Sequence, residues 1–371
     1  MRSISPALLL LLASGCAGLR PFPPSSACPT PGGNIDALWS CIGRPDPAPK
    51  EGGLESTLRI ANGDLTRRLI LNQTPSLACN TKPWSGFEHV SVAVAGADRL
   101  DGFVHAGDAA KPVVFVIHGL YDSNSIRYVR YTASALAAEG FGVVVPDMRW
   151  HGCLIDLTNT LGVLESADLM AWAKAVREGQ IGSMSGRPIG MVGFSLGALD
   201  VVDTISLPDA VSRFDAGAIA VSPPAAVGEV RKRLDRLRTP MALYFRLKLR
   251  MRNRRLGIPF WSREPFRAYL EKVAATTPFP TMEKLIAAEE TADRLANVRR
   301  PLLILAAKND PVLGQNAADA IAKAADASLA YVHVIETDEG GHIGIIGRDP
   351  QWFVNAMTNF FANAQHVPPR P

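Results

Sequence analysis

The chain predicts an α/β fold: a mostly parallel sheet with helices on both faces and a helical insertion over one end. Three observations carry this. Short uninterrupted apolar runs, such as VVFVI (113–117) and LLILAA (302–307), suit strands buried on both faces, as in parallel sheets. Helix-length segments separate these runs, and the alternation implies right-handed crossovers. Finally, Gly193-Phe194-Ser195-Leu196-Gly197 joins a strand-like run to a helix-like one without a breaker.

The elements follow in order from residue 88. Strands over 89–95 and 100–105 form an initial hairpin or meander, and 113–117 is a central strand. A helix over 126–139 ends at Gly140, strand 142–146 follows, and 147–152 (DMRWHG) is a loop. A helix over 165–178 precedes strand 188–192 (PIGMV), and 198–205 is the helix beyond the serine. Strand 216–221 stops at Pro223-Pro224. Strands over 302–307 and 330–335 and an amphipathic helix over 351–363 complete the pattern. The core therefore falls in two parts, 88–222 and 301–364, followed by a tail at 365–371. Residues 223–300 lack strand patterning and read as a helical cap over the C-terminal strand ends.

At 371 residues the chain has room for one domain of about 250 residues with additions at its start. Its 47% hydrophobic and 20% charged content is that of a globular chain, not a disordered one. The net charge is +4, yet eleven Lys or Arg lie between Arg231 and Arg255 against one acid, Asp235. The remainder is thus slightly acidic, and no nucleic-acid partner is expected. Within that stretch Leu234, Leu237 and Met241 step as an amphipathic helix does, whereas Leu247, Leu249 and Met251 step by two. Two readings apply: a solvated face of the cap, or a face that meets anionic lipid headgroups.

Residues 1–15 read as a signal peptide, with Arg2 as a positive start and an apolar run over 7–13 too short to span a bilayer. Ala13-Ser14-Gly15 before Cys16 resembles a bacterial lipoprotein signal, with Ala13 where such signals usually carry Leu. The resemblance implies lipidation of Cys16 and a place in the bacterial cell envelope, lipid-anchored at the outer membrane or else periplasmic. An ordinary signal peptide with an incidental cysteine is the alternative. The Pro-, Gly- and Ser-rich residues 16–53 read as a tether with one helical turn near 35–40, and 54–87 as an N-terminal extension. Cys28, Cys41, Cys79 and Cys153 permit disulfides in an exported protein. Three pairings are open, and Cys28 with Cys41 is nearest in sequence. No C-x-x-C or Cys/His cluster suggests a metal site.

The glycines around Ser195 suit a sharp strand-to-helix turn that lifts a serine hydroxyl above the sheet. Such a hydroxyl is a poor nucleophile until a base takes its proton and an acid orients that base. In this strand order acid and histidine follow the serine. His333 lies within the strand YVHVI, where a structural role fits. His342 sits in a glycine-rich loop (EGGHIG) just after the last strand, free to reach across the strand ends. Asp310, directly after LLILAA in K-N-D-P, is the expected acid, with Asp338 and Glu339 as rivals by proximity. Two N–H groups should meet the developing oxyanion: Leu196, next to the nucleophile, and Leu120, in the H-G-L turn after VVFVI.

With these residues in place, 88–363 resembles the α/β-hydrolase superfamily. The match is closer to the esterase and phospholipase-like branch related to plant embryogenesis-associated and mammalian lung hydrolases. It rests on His118-Gly119-Leu120 with Tyr128-Val129-Arg130, on G-F-S-L-G, on Leu295–Pro301 leading to Asp310-Pro311, and on Gly340–Gly344. Where the branch has R-G-H-G, this chain has Arg149-Trp150-His151-Gly152, which places an indole near the cap. The resemblance implies hydrolysis of small-molecule or lipid esters through an acyl-enzyme, with no cofactor. An acyltransferase of the same chemistry and a non-catalytic envelope-binding lipoprotein are the other readings.

Overall fold

The computed structural model describes residue 28 and residues 32–45, 79–93, 99–236, 240–326 and 330–371. Residues 1–15, read as a signal peptide, Cys16, and most of the stretches read as tether and extension lie outside the described residues. Eight strands form one sheet: β1 (Glu88–Ala93), β2 (Arg99–His105), β3 (Val113–Ile117), β4 (Gly142–Pro146), β5 (Ile189–Phe194), β6 (Ala218–Val221), β7 (Leu302–Ala307) and β8 (Val332–Thr337). Their order is β1-β2-β4-β3-β5-β6-β7-β8. β1 and β2 pair antiparallel, as do β2 and β4, and every other pairing is parallel.

β3 shows why the apolar runs are uninterrupted. Val113, Phe115 and Ile117 face a core containing Trp172 and Val201, while Val114 and Val116 face a second core containing Val129 and Phe360. With both faces covered, all five residues are fully buried, and each apolar side chain so removed from water contributes roughly 1.5–3 kcal/mol. β8 begins and ends two residues later than its apolar pattern suggests. It is an edge strand, and its register with β7 runs on to Ala307 opposite Thr337, so polar Glu336 and Thr337 are included.

Helices α2 (Arg127–Ala138) and α13 (Pro350–Ala364) cover one face of the sheet, and α3 (Val163–Arg177), α4 (Leu196–Ile205) and α11 (Gln315–Asp326) the other. The expected helical turn in the tether is a full helix, α1 (Ile35–Ile42). The Asn34 side chain caps it, and Leu38 is completely buried in the core beneath α13. Trp39 stacks on His333 at 5.0 Å between ring centroids. This part of the spacer is therefore docked on the sheet, since its apolar positions repeat at helical spacing and find a partner. Short α5 (Ala210–Arg213) and α12 (Ile345–Arg348) sit in connections. Two disulfides join Cys28 to Cys41 and Cys79 to Cys153.

Between β6 and β7 the described residues hold helices and no strand: α6 (Val227–Arg236), α7 (Pro240–Asn253), α8 (Pro265–Ala274), α9 (Met282–Ala288) and α10 (Thr291–Leu295). Of these, α6 to α9 share a third apolar cluster with Tyr121, Trp150, Leu196 and Leu199 of the core, while Leu295 of α10 joins the core beneath the sheet. The Trp150 indole stacks on Tyr269 of α8, with centroids 4.5 Å apart and planes at 10°. The basic stretch is only partly a solvated face. Arg252 and Lys248 are buried, and the Arg252 guanidinium lies over the rings of Tyr121 and Trp150 and donates to the Trp150 carbonyl.

Candidate active site

Ser195 stands between β5 and α4 with φ 56° and ψ −115°, and its N–H donates to Val221 O at 2.9 Å. A non-glycine residue holds such backbone angles only where its surroundings impose them. Here the tightness of the turn does so. A Cβ built on Gly193 would lie 2.1 Å from the Gly197 carbonyl oxygen, so strand and helix meet too closely for any side chain.

The structure brings Ser195, His342 and Asp310 together from three separate chain regions. His342 Nε2 lies 2.8 Å from Ser195 Oγ, and Nδ1 lies 2.7 Å from Asp310 Oδ2. Asp310 Oδ1 accepts the N–H groups of Val312 and Leu313 at 2.7 and 2.8 Å. With Oδ1 so engaged, Oδ2 is left to receive Nδ1–H, which places the lone pair of Nε2 toward the serine. Both Asp310 and His342 are buried. The rivals point elsewhere: Asp338 is exposed and pairs with Lys308 at 3.1 Å, and Glu339 accepts from the Asn309 side chain. His333 stacks on Trp39 in β8, as a structural histidine would. His366, also downstream of Ser195, is exposed just past α13.

The H-G-L turn lies directly against the nucleophile. A Cβ on Gly119 would fall 3.2 Å from both Ser195 Cβ and Phe194 O. Among the described residues, no hydrogen bond takes up the N–H of Leu120 or of Leu196. Both are thus available to an oxyanion, the second at the positive end of α4.

Several residues quoted only as parts of motifs hold this geometry through contacts that the sequence reading did not assign to them. Asn309 Oδ1 accepts the N–H groups of Gly340 and Gly341 at 3.1 and 2.8 Å, fixing the histidine loop; its place beside Asp310 was the available signal. Tyr128 Oη accepts Gly119 N–H at 2.8 Å and donates to Asp122 at 2.7 Å. His118 Nε2 accepts Met148 N–H, and its Nδ1 donates to the Gly119 carbonyl. His151 Nε2 accepts Tyr121 N–H, and its Nδ1 donates to the Arg149 carbonyl. Each ring thus serves as one donor and one acceptor, a pattern only neutral imidazole offers. Burial enforces it, lowering His118 to about 4 and His151 well below its usual value, the latter helped by the Arg252 charge.

Above Ser195 lies a narrow cleft of about 40 Å³ under the helices between β6 and β7. Leu120, Leu196, Leu199, Val227, Leu234 and Phe245 are among its walls, and among the described residues Ser195 is the one polar side chain that lines it. No His, Cys, Asp or Glu cluster among the described residues is arranged to hold a metal ion. No described helix is long and apolar enough to cross a membrane.

In overall shape the chain is similar to an esterase from Pyrococcus furiosus. The TM-score is 0.55 at 18% identity, covering 76% of this chain and 96% of that one. It is also similar to a puromycin-hydrolyzing peptidase from Mycobacterium tuberculosis (TM-score 0.52, 14% identity, 74% of this chain and 38% of that one). An acylaminoacyl peptidase from Pyrococcus horikoshii gives TM-score 0.50 at 14% identity, over 80% of this chain and 42% of that one. At these identities the likeness is one of fold. No curated protein matches the chain. The model of the alpha/beta hydrolase family matches residues 113–356, the span from β3 into α13 that holds every residue of the site, and the chain belongs to that family.

Proposed function

We propose that the protein is a serine hydrolase that cleaves carboxylic esters carrying an apolar acyl group. Ser195 Oγ attacks the acyl carbonyl while His342 Nε2 takes its proton, and the N–H groups of Leu120 and Leu196 receive the oxyanion. The imidazolium then protonates the leaving alcohol, and water, activated by the same imidazole, hydrolyses the acyl-enzyme. Asp310 holds the ring and stabilises its positive charge. The branch of esterase and phospholipase-like hydrolases read from H-G-L, G-F-S-L-G, D-P and G-G-H-x-G is part of the same proposal.

The observation that carries the substrate class is the cleft: among the described residues its lining apart from the nucleophile is apolar, which suits an alkyl or aryl acyl chain better than a charged one. The test is kinetic. On p-nitrophenyl esters of rising acyl length, kcat/KM should climb until the cleft is filled, while the matching anilides turn over far more slowly. Preference for the anilides would overturn the ester reading. An added alcohol that diverts most acyl groups into a new ester would make the enzyme an acyltransferase.

The same proposal places the protein in the bacterial envelope, held through lipid on Cys16. The two disulfides support an oxidising compartment. Metabolic palmitate labelling should disappear in Cys16→Ser, and an unmodified mature N-terminus would end this part of the proposal.

A further inference from the structure

We propose that the outer face of α7, with the loop that follows it, is a docking surface for an anionic lipid bilayer. Among the described residues, four large hydrophobic side chains are exposed: Leu243 (51%), Leu247 (51%), Met251 (41%) and Trp261 (82%). All four lie on this one part of the cap. Leu243, Leu247 and Met251 recur every fourth residue, so they form a single stripe along α7. Arg250 of α7 donates to the Ser262 carbonyl at 3.1 Å, tying the loop that bears Trp261 to the helix. Trp261 and Arg254 border one open depression together with Pro259 and Phe260.

The charges around the stripe choose the occupant. Arg254 stands three residues beyond Met251, on the same side, and Arg263 follows Trp261; both are exposed, with no carboxylate partner among the described residues. Arg255 and Arg236 are also exposed but face Asp156 and Glu264, at 2.9 and 3.9 Å. An aliphatic stripe with a tryptophan at its margin and arginines at its rim matches an interface of acyl chains and phosphate headgroups. A second copy of this face would set unpaired arginines against unpaired arginines, so self-association is disfavoured here.

The inner side of the same helix leads to the site. Ala242 and Leu249 are buried, and Phe245 lines the cleft above Ser195 and meets Tyr121 at 5.8 Å between centroids. A bilayer held against the outer face therefore lies one helix away from the acyl cleft. That consequence for substrate supply rests on the ester-hydrolase reading, whereas docking does not, since it is measured on an inactive variant.

The experiment uses the full chain with Cys16→Ser, so that no acyl anchor contributes, and Ser195→Ala. Sedimentation with vesicles of phosphatidylcholine, alone or mixed with phosphatidylglycerol, should show binding at low salt that strongly favours the mixed vesicles, with a blue shift in tryptophan emission. Leu243→Ser, Leu247→Ser and Trp261→Ser together should weaken partitioning by at least roughly tenfold, and Arg254→Gln with Arg263→Gln should abolish the preference for phosphatidylglycerol. With Ser195 restored, both sets should hydrolyse a short soluble ester as the parent does, which shows that they fold. Absence of binding at low salt, equal binding to neutral vesicles, or unchanged binding by the apolar variant would each overturn the proposal. Self-association lost in that same variant, without vesicle binding, would assign the face to a second copy.

Discussion

Replacing Asp310 by Asn asks how much of the chemistry depends on the orientation of His342. In the parent, Asp310 Oδ1 accepts two backbone N–H groups, from Val312 and Leu313, while Oδ2 faces His342 Nδ1 at 2.7 Å. An asparagine has one carbonyl oxygen to distribute. Turning its NH2 toward Val312 and Leu313 would set donors against two donors, so the oxygen stays there and the NH2 faces the imidazole. The ring must then present a lone pair at Nδ1 and carry its proton on Nε2, where it can no longer accept from Ser195. A wrong tautomer of this kind lowers kcat by about 10⁴, or roughly 5 kcal/mol. Asp338→Asn, at an exposed residue paired with Lys308, should change turnover by a few-fold at most. Steady-state kinetics on a chromogenic ester, with circular dichroism to verify the fold, decides the matter. Near-parental turnover in Asp310→Asn, or a severe loss in Asp338→Asn, would mean that His342 is not oriented by Asp310.

Other outcomes follow from the same geometry. Gly193→Ala should destabilise the fold by about 3 kcal/mol or more, because its Cβ meets a backbone oxygen that cannot swing aside; denaturant melts measure this, and a parental midpoint would contradict it. Arg252→Gln should cost about 1–3 kcal/mol through lost ring and carbonyl contacts, whereas exposed Arg254→Gln should stay within about 0.5 kcal/mol; equal melts would show that Arg252 is not a packing residue. Asp200, fully buried on α4, has no hydrogen-bond partner for either oxygen among the described residues, and burial raises its pKa well above the usual value. The folded state thus keeps a proton that the unfolded chain releases above about pH 4. The stability so gained is complete below that pH and is lost as pH rises toward the folded pKa. The melting temperature of Asp200→Asn relative to the parent should therefore increase from acid to alkaline buffer, and a pH-independent difference would mean that Asp200 is charged.

Much of this was legible because packing and chemistry constrain sequence most tightly at the sheet and the site. VVFVI and LLILAA sit between two cores and could hardly be written otherwise. Ser195, Asp310 and His342 were recoverable because each must follow a strand in a fixed order. Where contacts join distant segments, the sequence was mute. Three cysteine pairings were open, and nothing local marks Cys79 as the partner of Cys153. His118 and His151 gave no sign that each links loop backbone on both of its nitrogens. Charge patterning misled in the cap, because hydropathy counts Arg252 as a solvated residue although its flat guanidinium packs between rings. It also hid the stripe of Leu243, Leu247 and Met251, since Leu249, which breaks the four-residue repeat, faces inward.

The central claim is that Ser195 is the nucleophile, activated through His342. Its most direct measurement is peptide mass spectrometry after reaction with a fluorophosphonate, which forms a stable adduct only with an activated serine. Labelling should give a single adduct on the peptide containing Ser195, none in Ser195→Ala, and strongly slowed reaction in His342→Ala. An adduct on another serine, or ester hydrolysis undiminished in Ser195→Ala, would contradict it.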